Sequence, residues 1–219
     1  MIHNITKKLE NQTKNYLLHF KNNPKTNLIN MKNLKTIAIA LLVVLGTTVS
    51  NAQTKKIDAA TSKITWIGKK VTGQHGGTIN VKEGSLVFTG KKLTGGTVTV
   101  DMTSLVCTDL KAGEGKEKIE GHLKSEDFFG TEKFQTSKIV FKKVVASGKN
   151  SYTVTADLSI KEKTNPITFE LTVIGNTAAA ALKVDRTKFD IKYGSGSFFD
   201  NLGDRAISDE FELNVALQF

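Results

Sequence analysis

Past residue 52 the chain carries few side chains that could do chemistry. His75 and His122 are its two histidines there, and Cys107 is its one cysteine. No His-x-x-x-His pair and no Cys/His grouping with metal-ligand spacing occurs, so a metal centre is not expected. Glu126 and Asp127 are neighbours, and extended backbone would turn their carboxyls to opposite faces rather than into an acid–base pair. Asp185 and Arg186 suit a surface or rim ion pair better than a catalytic couple. Gly194-Ser195-Gly196-Ser197 lacks the Gly-Lys-Ser/Thr ending and the following long helix of a phosphate-binding loop, so it reads as a glycine-dependent turn. His122 remains as an alternative acid/base, but a lone histidine beside a helix end is more often structural. Catalysis is not expected, and binding is the function to look for.

The segment Gly121–Phe129, Gly-His-Leu-Lys-Ser-Glu-Asp-Phe-Phe, interrupts a chain that otherwise alternates apolar and polar residues. Ile119 and Leu123 are four apart, with Lys116, Lys118 and Glu120 elsewhere around the turn, which predicts a short amphipathic helix within Ala112–Phe129. Phe128 and Phe129 beside two acids suit the rim of a cavity, where aromatic surface gives way to water. A second irregular segment, Asp185–Asp204, carries another pair, Phe198-Phe199. The two pairs are expected to approach each other over one end of the fold.

The rest reads as strands. Ile64 and Trp66 share a face; so do Leu86 and Phe88, then Val98, Val100 and Met102, then Ile139 and Phe141. Tyr152, Val154, Ala156, Leu158 and Ile160 follow with the same period, then Ile167, Phe169, Leu171 and Val173, then Ala180, Leu182 and Val184. The last run, Phe211, Leu213, Val215, Leu217 and Phe219, alternates without a break. Period two with one apolar face is the pattern of antiparallel strands buried on one side. Turn signals fall at Glu83-Gly84, Gly95-Gly96, Ser147–Asn150, Asn165-Pro166 and Gly175-Asn176. The expected fold is all-β: an antiparallel up-and-down barrel of about eight strands, with one short helix and a short helical or irregular segment near the C-terminus.

The N-terminal part predicts processing. Met31-Lys32-Asn33-Leu34-Lys35 precedes the apolar run Ile37–Leu45 and a small-x-small site ending at Ala52, the layout of a secretory signal. Residues 1–30 read as a disordered upstream extension, 31–52 as the signal peptide and 53–219 as the domain, exported to the periplasm or medium. Seven of the 31 basic residues and one of the 21 acidic ones precede Gln53, which leaves 24 against 20. That mixed surface, without a basic stripe, argues against nucleic acid. One cysteine excludes an intrachain disulfide. A stable membrane span is not expected; a small outer-membrane barrel is the alternative, disfavoured because Trp66, Tyr152 and Tyr193 cannot supply two aromatic girdles.

The signal, the strand with Trp66, the Gly121–Phe129 stretch and the alternating terminal strand together resemble the YceI-like family. The likeness covers nearly all of Gln53–Phe219, and His122-Leu123-Lys124-Ser125 followed by Asp127-Phe128-Phe129 is its most specific part. One departure stands out: the family often places a proline soon after the Phe-Phe, whereas this chain runs Gly130-Thr131-Glu132-Lys133-Phe134-Gln135. The resemblance implies a lipocalin-like barrel and an amphiphilic lipid partner, an isoprenoid or quinone-type molecule, with no other cofactor. The lumen is then expected to be lined by Trp66, Phe88, Val98 and Val100, by Ile139, Phe141 and Leu158, and by Phe169, Leu171, Phe211 and Leu213. The rim and headgroup residues are expected to be His122, Lys124, Phe128, Phe129, Arg186, Phe198 and Phe199. Oligomeric state is left open, a homodimer being one option.

Overall fold

Alternating faces become a closed wall when each strand pairs with the next. In the computed structural model, which describes residues 51–219, strands β2 (Asp58–Lys70), β3 (Gly73–Thr89), β4 (Lys92–Cys107), β5 (Thr136–Ala146), β6 (Ser151–Ile160), β7 (Lys163–Ile174), β8 (Thr177–Asp185) and β9 (Ile207–Gln218) follow one another around an antiparallel barrel, and β9 closes it on β2. An additional strand, β1 (Ala52–Lys56), extends the line of β2 and pairs with Ser85–Thr89 of β3. Helix α1 (Lys116–Lys124) lies between β4 and β5, and single 3-10 turns at Arg186–Phe189 and Gly203–Arg205 lie between β8 and β9. The expected fold class is therefore the observed one. The expectations for residues 1–30 and for most of the signal segment fall outside the described residues.

Three of the expected turns are strand interior instead. Gly84 and Gly96 are glycines because the wall is crowded there. A Cβ on Gly84 would stand 2.7 Å from the Thr97 carbonyl oxygen, and one on Gly96 would stand 2.9 Å from the Phe141 ring. Pro166 sits within β7, opposite Asp157. It is tolerated because β7 pairs with β8 only over Leu171–Ile174, so no ladder bond is required of position 166 on that side. The unpaired seam above is covered by the turn after β8, where Phe189 and Ile191 are buried and Asn165 Nδ2 donates to the Lys188 carbonyl at 2.8 Å.

The two ends of the barrel differ. At the floor, Phe88 and Phe219 meet at 5.5 Å between ring centroids, and the Lys55 ammonium lies 5.4 and 5.0 Å from those rings. Leu86, Val154, Ala156 and Ala178 are fully buried and Leu171 and Leu217 nearly so. Toward the other end, which carries α1 and the long β8–β9 connection, the inward residues Phe129, Ile139, Phe141, Phe169, Phe211 and Leu213 are only partly buried. They line a cavity. Outward positions such as Thr168, Glu170, Lys183 and Asn214 are polar and exposed. The apolar outer band that a membrane barrel needs is missing from these strands. No helix among the described residues is long and apolar enough to cross a membrane.

Candidate functional site

The cavity has a volume of about 590 Å³ and opens at the α1 end. Ten of the eleven expected lumen residues stand on its wall: Trp66, Val98, Val100, Ile139, Phe141, Leu158, Phe169, Leu171, Phe211 and Leu213. Phe88 does not; it belongs to the closed floor against Phe219. The register explains the convergence. Trp66 pairs with Leu213, Val98 with Ile139 and Val154 with Phe169, so apolar faces selected on separate strands become one surface. Ile64, Met102, Leu105, Ile160, Ala180, Leu182 and Val215 also stand on the wall. Ile64, Met102, Ile160, Ala180, Leu182 and Val215 show the same alternation in sequence, so they were within reach of the reasoning that chose their neighbours.

The mouth is aromatic. α1 presents Ile119 and Leu123 to the cavity, as its spacing predicted, together with His122. Its last turn folds back: Ser125 Oγ donates to the His122 carbonyl at 2.8 Å, and the Phe129 amide to the Leu123 carbonyl at 3.1 Å. Gly130, with φ of 54°, makes the turn in this chain without a proline, and its carbonyl accepts from the Phe134 amide at 2.8 Å. Phe128 and Phe129 are thereby turned inward. The His122 ring lies edge-on to Phe128 at 4.9 Å and to Tyr193 at 4.4 Å, and Phe129 lies edge-on to Phe211 at 6.0 Å. Tyr193, from the β8–β9 connection, takes the place expected of Phe198 and Phe199. Those two are half-exposed and line no part of the cavity; the Lys192 ammonium lies 5.1 Å from the Phe198 ring. Tyr193 was missed because a single tyrosine before Gly194 carries no periodic signal.

Of the three polar residues expected at the rim, His122 lines the mouth, Lys124 does not line the cavity, and Arg186 lines it but is almost wholly buried. Arg186 ties the connection down. Nε donates to the Ser208 carbonyl at 2.9 Å, Nη1 to the Ile191 carbonyl at 2.8 Å and Nη2 to the Ile207 carbonyl at 3.0 Å. Its Cζ stands 5.6 Å from the Phe128 ring centroid, a cation–π contact. Burial pulls its pKa down, partly countered by Asp209 and Asp185. Asp209 Oδ1 sits 3.7 Å from Nη2, too far for a hydrogen bond but close enough for strong Coulomb attraction. Burial pushes the Asp209 carboxyl up, while the hydrogen bond from Ser197, the nearby Ser195 hydroxyl and the charge of Arg186 outweigh it and hold the pKa below the usual value. Lys69, Lys70, Lys118 and Arg205, with Asp204 and Glu210, edge the opening.

One wall group is out of character. Ser137, beside Ile139 on β5 and opposite Val100, is 7 % exposed, and its Oγ has no hydrogen-bond partner among the described residues. An unmatched hydroxyl in an apolar wall costs about 1–3 kcal/mol unless something supplies a partner.

The family model for the YceI-like domain matches residues 56–219. The chain belongs to that family. Among curated relatives, the YceI-like chain is 30% identical over 99 residues to a UPF0312 protein of Shewanella denitrificans. That alignment takes in 45% of this chain, which spans about half (49%) of the relative's length. Among solved structures, the YceI-like barrel is similar to BcnA of Burkholderia cenocepacia, with a TM-score of 0.54 and 21% identity, over 74% of this chain and 98% of that one. It is similar also to a polyisoprenoid binding domain from Saccharophagus degradans implicated in plant cell wall breakdown, with a TM-score of 0.50 and 13% identity, over 74% and 95% of the two chains. At such identities these structures establish the fold of the YceI-like domain alone.

Proposed function

We propose that this chain is an exported binding protein that holds an amphiphilic lipid with a long apolar tail, an isoprenoid or quinone-type molecule, inside its barrel. The observation that carries this reading is the cavity of about 590 Å³ with apolar walls, closed at the floor and gated by aromatic rings at the mouth. That volume is in the ordinary range of small-molecule sites. A hydrocarbon tail asks nothing of such a wall except desolvation, and each buried methylene contributes roughly 0.8 kcal/mol. A few five-carbon units therefore gain on the order of 10 kcal/mol before ordering costs. The polar end of the lipid is held near His122 and Tyr193 or by the unmatched Ser137 hydroxyl. The similarity to the polyisoprenoid binding domain from Saccharophagus supports the same lipid class. Carriage, storage and stress protection are the roles such binding serves, and export follows from the signal-like segment before Gln53.

Native mass spectrometry and solvent extraction of the purified protein test this reading. A bound lipid of discrete mass is the expected outcome. Protein that yields no lipid, and whose Trp66 fluorescence is unchanged on titration with isoprenoids, overturns it.

A further inference from the structure

Beside the mouth, the structure assembles a cluster that no spacing in the sequence announces. The nearest donor atoms of His75, Cys107 and Asp109 all lie within 4.8 Å of one another. His75 Nδ1 is 3.2 Å from Asp109 Oδ2, and Cys107 Sγ donates to Asp109 Oδ1 at 2.9 Å. The carboxylate stands between thiol and imidazole, so the histidine cannot take the thiol proton directly. That order is wrong for a nucleophile–base–orienter relay. It suits a set of ligands around one point. We propose that His75, Cys107 and Asp109 form a site for a single divalent cation of the zinc class.

The backbone builds this convergence. Cys107 ends β4 opposite Gly77 of β3, and a Cβ on Gly77 would collide with the Val106 carbonyl oxygen and the Trp66 ring. Glycine alone lets the two strand ends come this close. The Thr108 amide then donates to the Gly76 carbonyl at 3.0 Å, and the Gly76 amide to Asp109 Oδ2 at 3.2 Å, which turns the carboxylate back toward His75. From the other side, Glu120 of α1 accepts from the Cys107 amide at 2.8 Å. The cysteine is fully buried, whereas the His75 and Asp109 side chains are 34% and 41% exposed, so a cation has a way in from solvent.

Thiolate, imidazole and carboxylate are the three ligand types zinc takes, and three protein ligands leave a fourth tetrahedral position for water. Zinc bond lengths put tetrahedral nitrogen and oxygen donors about 3.3 Å apart, and sulfur about 3.5 Å from either. The His75–Asp109 separation of 3.2 Å already matches; the Cys107–Asp109 contact of 2.9 Å opens slightly to admit the metal, and all three donors already lie within 4.8 Å of one another. Binding replaces the thiol proton with metal: the S–H bond breaks, the metal–sulfur bond forms and the proton leaves to solvent, so affinity rises with pH.

Titration of metal-free full-length protein with cobalt(II) and with zinc(II) tests the site. One equivalent of cobalt is expected to give a thiolate-to-cobalt charge-transfer band and tetrahedral ligand-field bands, both displaced by zinc. Cys107→Ser is expected to abolish the charge-transfer band and weaken zinc binding by roughly 100-fold. His75→Ala, at a partly exposed position that leaves the core intact, is expected to weaken zinc comparably while the protein remains folded by circular dichroism. Absence of the cobalt band, or zinc affinity unchanged in His75→Ala, overturns the proposal.

Discussion

If the barrel interior is a ligand cavity, filling part of it from the protein side should raise the stability of the empty protein and lower its affinity for lipid. Ala180 is suited to this perturbation. It lies on β8 between Leu171 and Val215, its Cβ faces the cavity, and it is only partly buried. Ala180→Leu adds three carbon atoms. At roughly 0.8 kcal/mol for each carbon withdrawn from water, the gain is at most about 2 kcal/mol in the lipid-free protein. Local crowding against Leu171 offsets some of that gain. The same volume is lost to the lipid tail, so binding weakens by about 2 kcal/mol, roughly 30-fold. Urea unfolding of delipidated protein reads the first quantity, and titration followed by Trp66 fluorescence reads the second. Destabilisation by more than about 1 kcal/mol in the lipid-free state would show that the interior is already packed solid. Unchanged lipid affinity would place the ligand somewhere other than this cavity.

Other expected outcomes follow from single groups. Ser137→Ala removes a hydroxyl without a partner. It should leave the lipid-free protein as stable or more so, weaken a quinone or prenol by about fivefold, and leave a pure hydrocarbon unaffected in parallel titrations. Phe141→Glu sets a carboxylate on the apolar wall and breaks an edge-on contact with Phe169 at 5.9 Å; bound lipid by extraction and the melting temperature should both fall. Arg186→Met orphans three carbonyls of the β8–β9 connection, and on the order of 3 kcal/mol should be lost in urea unfolding. Asp209 has its folded pKa held below the unfolded one, so its contribution is complete above about pH 4 and is lost as pH falls through the folded value. Asp209→Asn should flatten the acid limb of a stability-against-pH curve below about pH 4 and leave the slope at neutral pH as it was.

The sequence by itself determined the wall. Period-two alternation in eight runs dictates which side chains face inward, because a strand has only two faces and one of them must be buried. That is why Trp66, Val100, Leu158, Phe169 and Leu213 were legible as lumen, and why α1 was legible from Ile119 and Leu123. The tertiary structure decided whatever depends on where a strand ends and on what it lies beside. Phe88 has the same alternation as Trp66, yet its height on β3 puts it in the floor, and alternation carries no information about height. Gly84, Gly96 and Pro166 look like turns to a local reading, because the crowding and the unpaired seam that explain them come from other strands. Arg186 offers the charge expected of a headgroup contact, but three carbonyls of its own connection already hold it. His75 and Cys107 lie 32 positions apart, and only the close approach of β3 and β4 at Gly77 brings them to one point. Composition and spacing record what each side chain is; the contacts that commit it are made across the barrel.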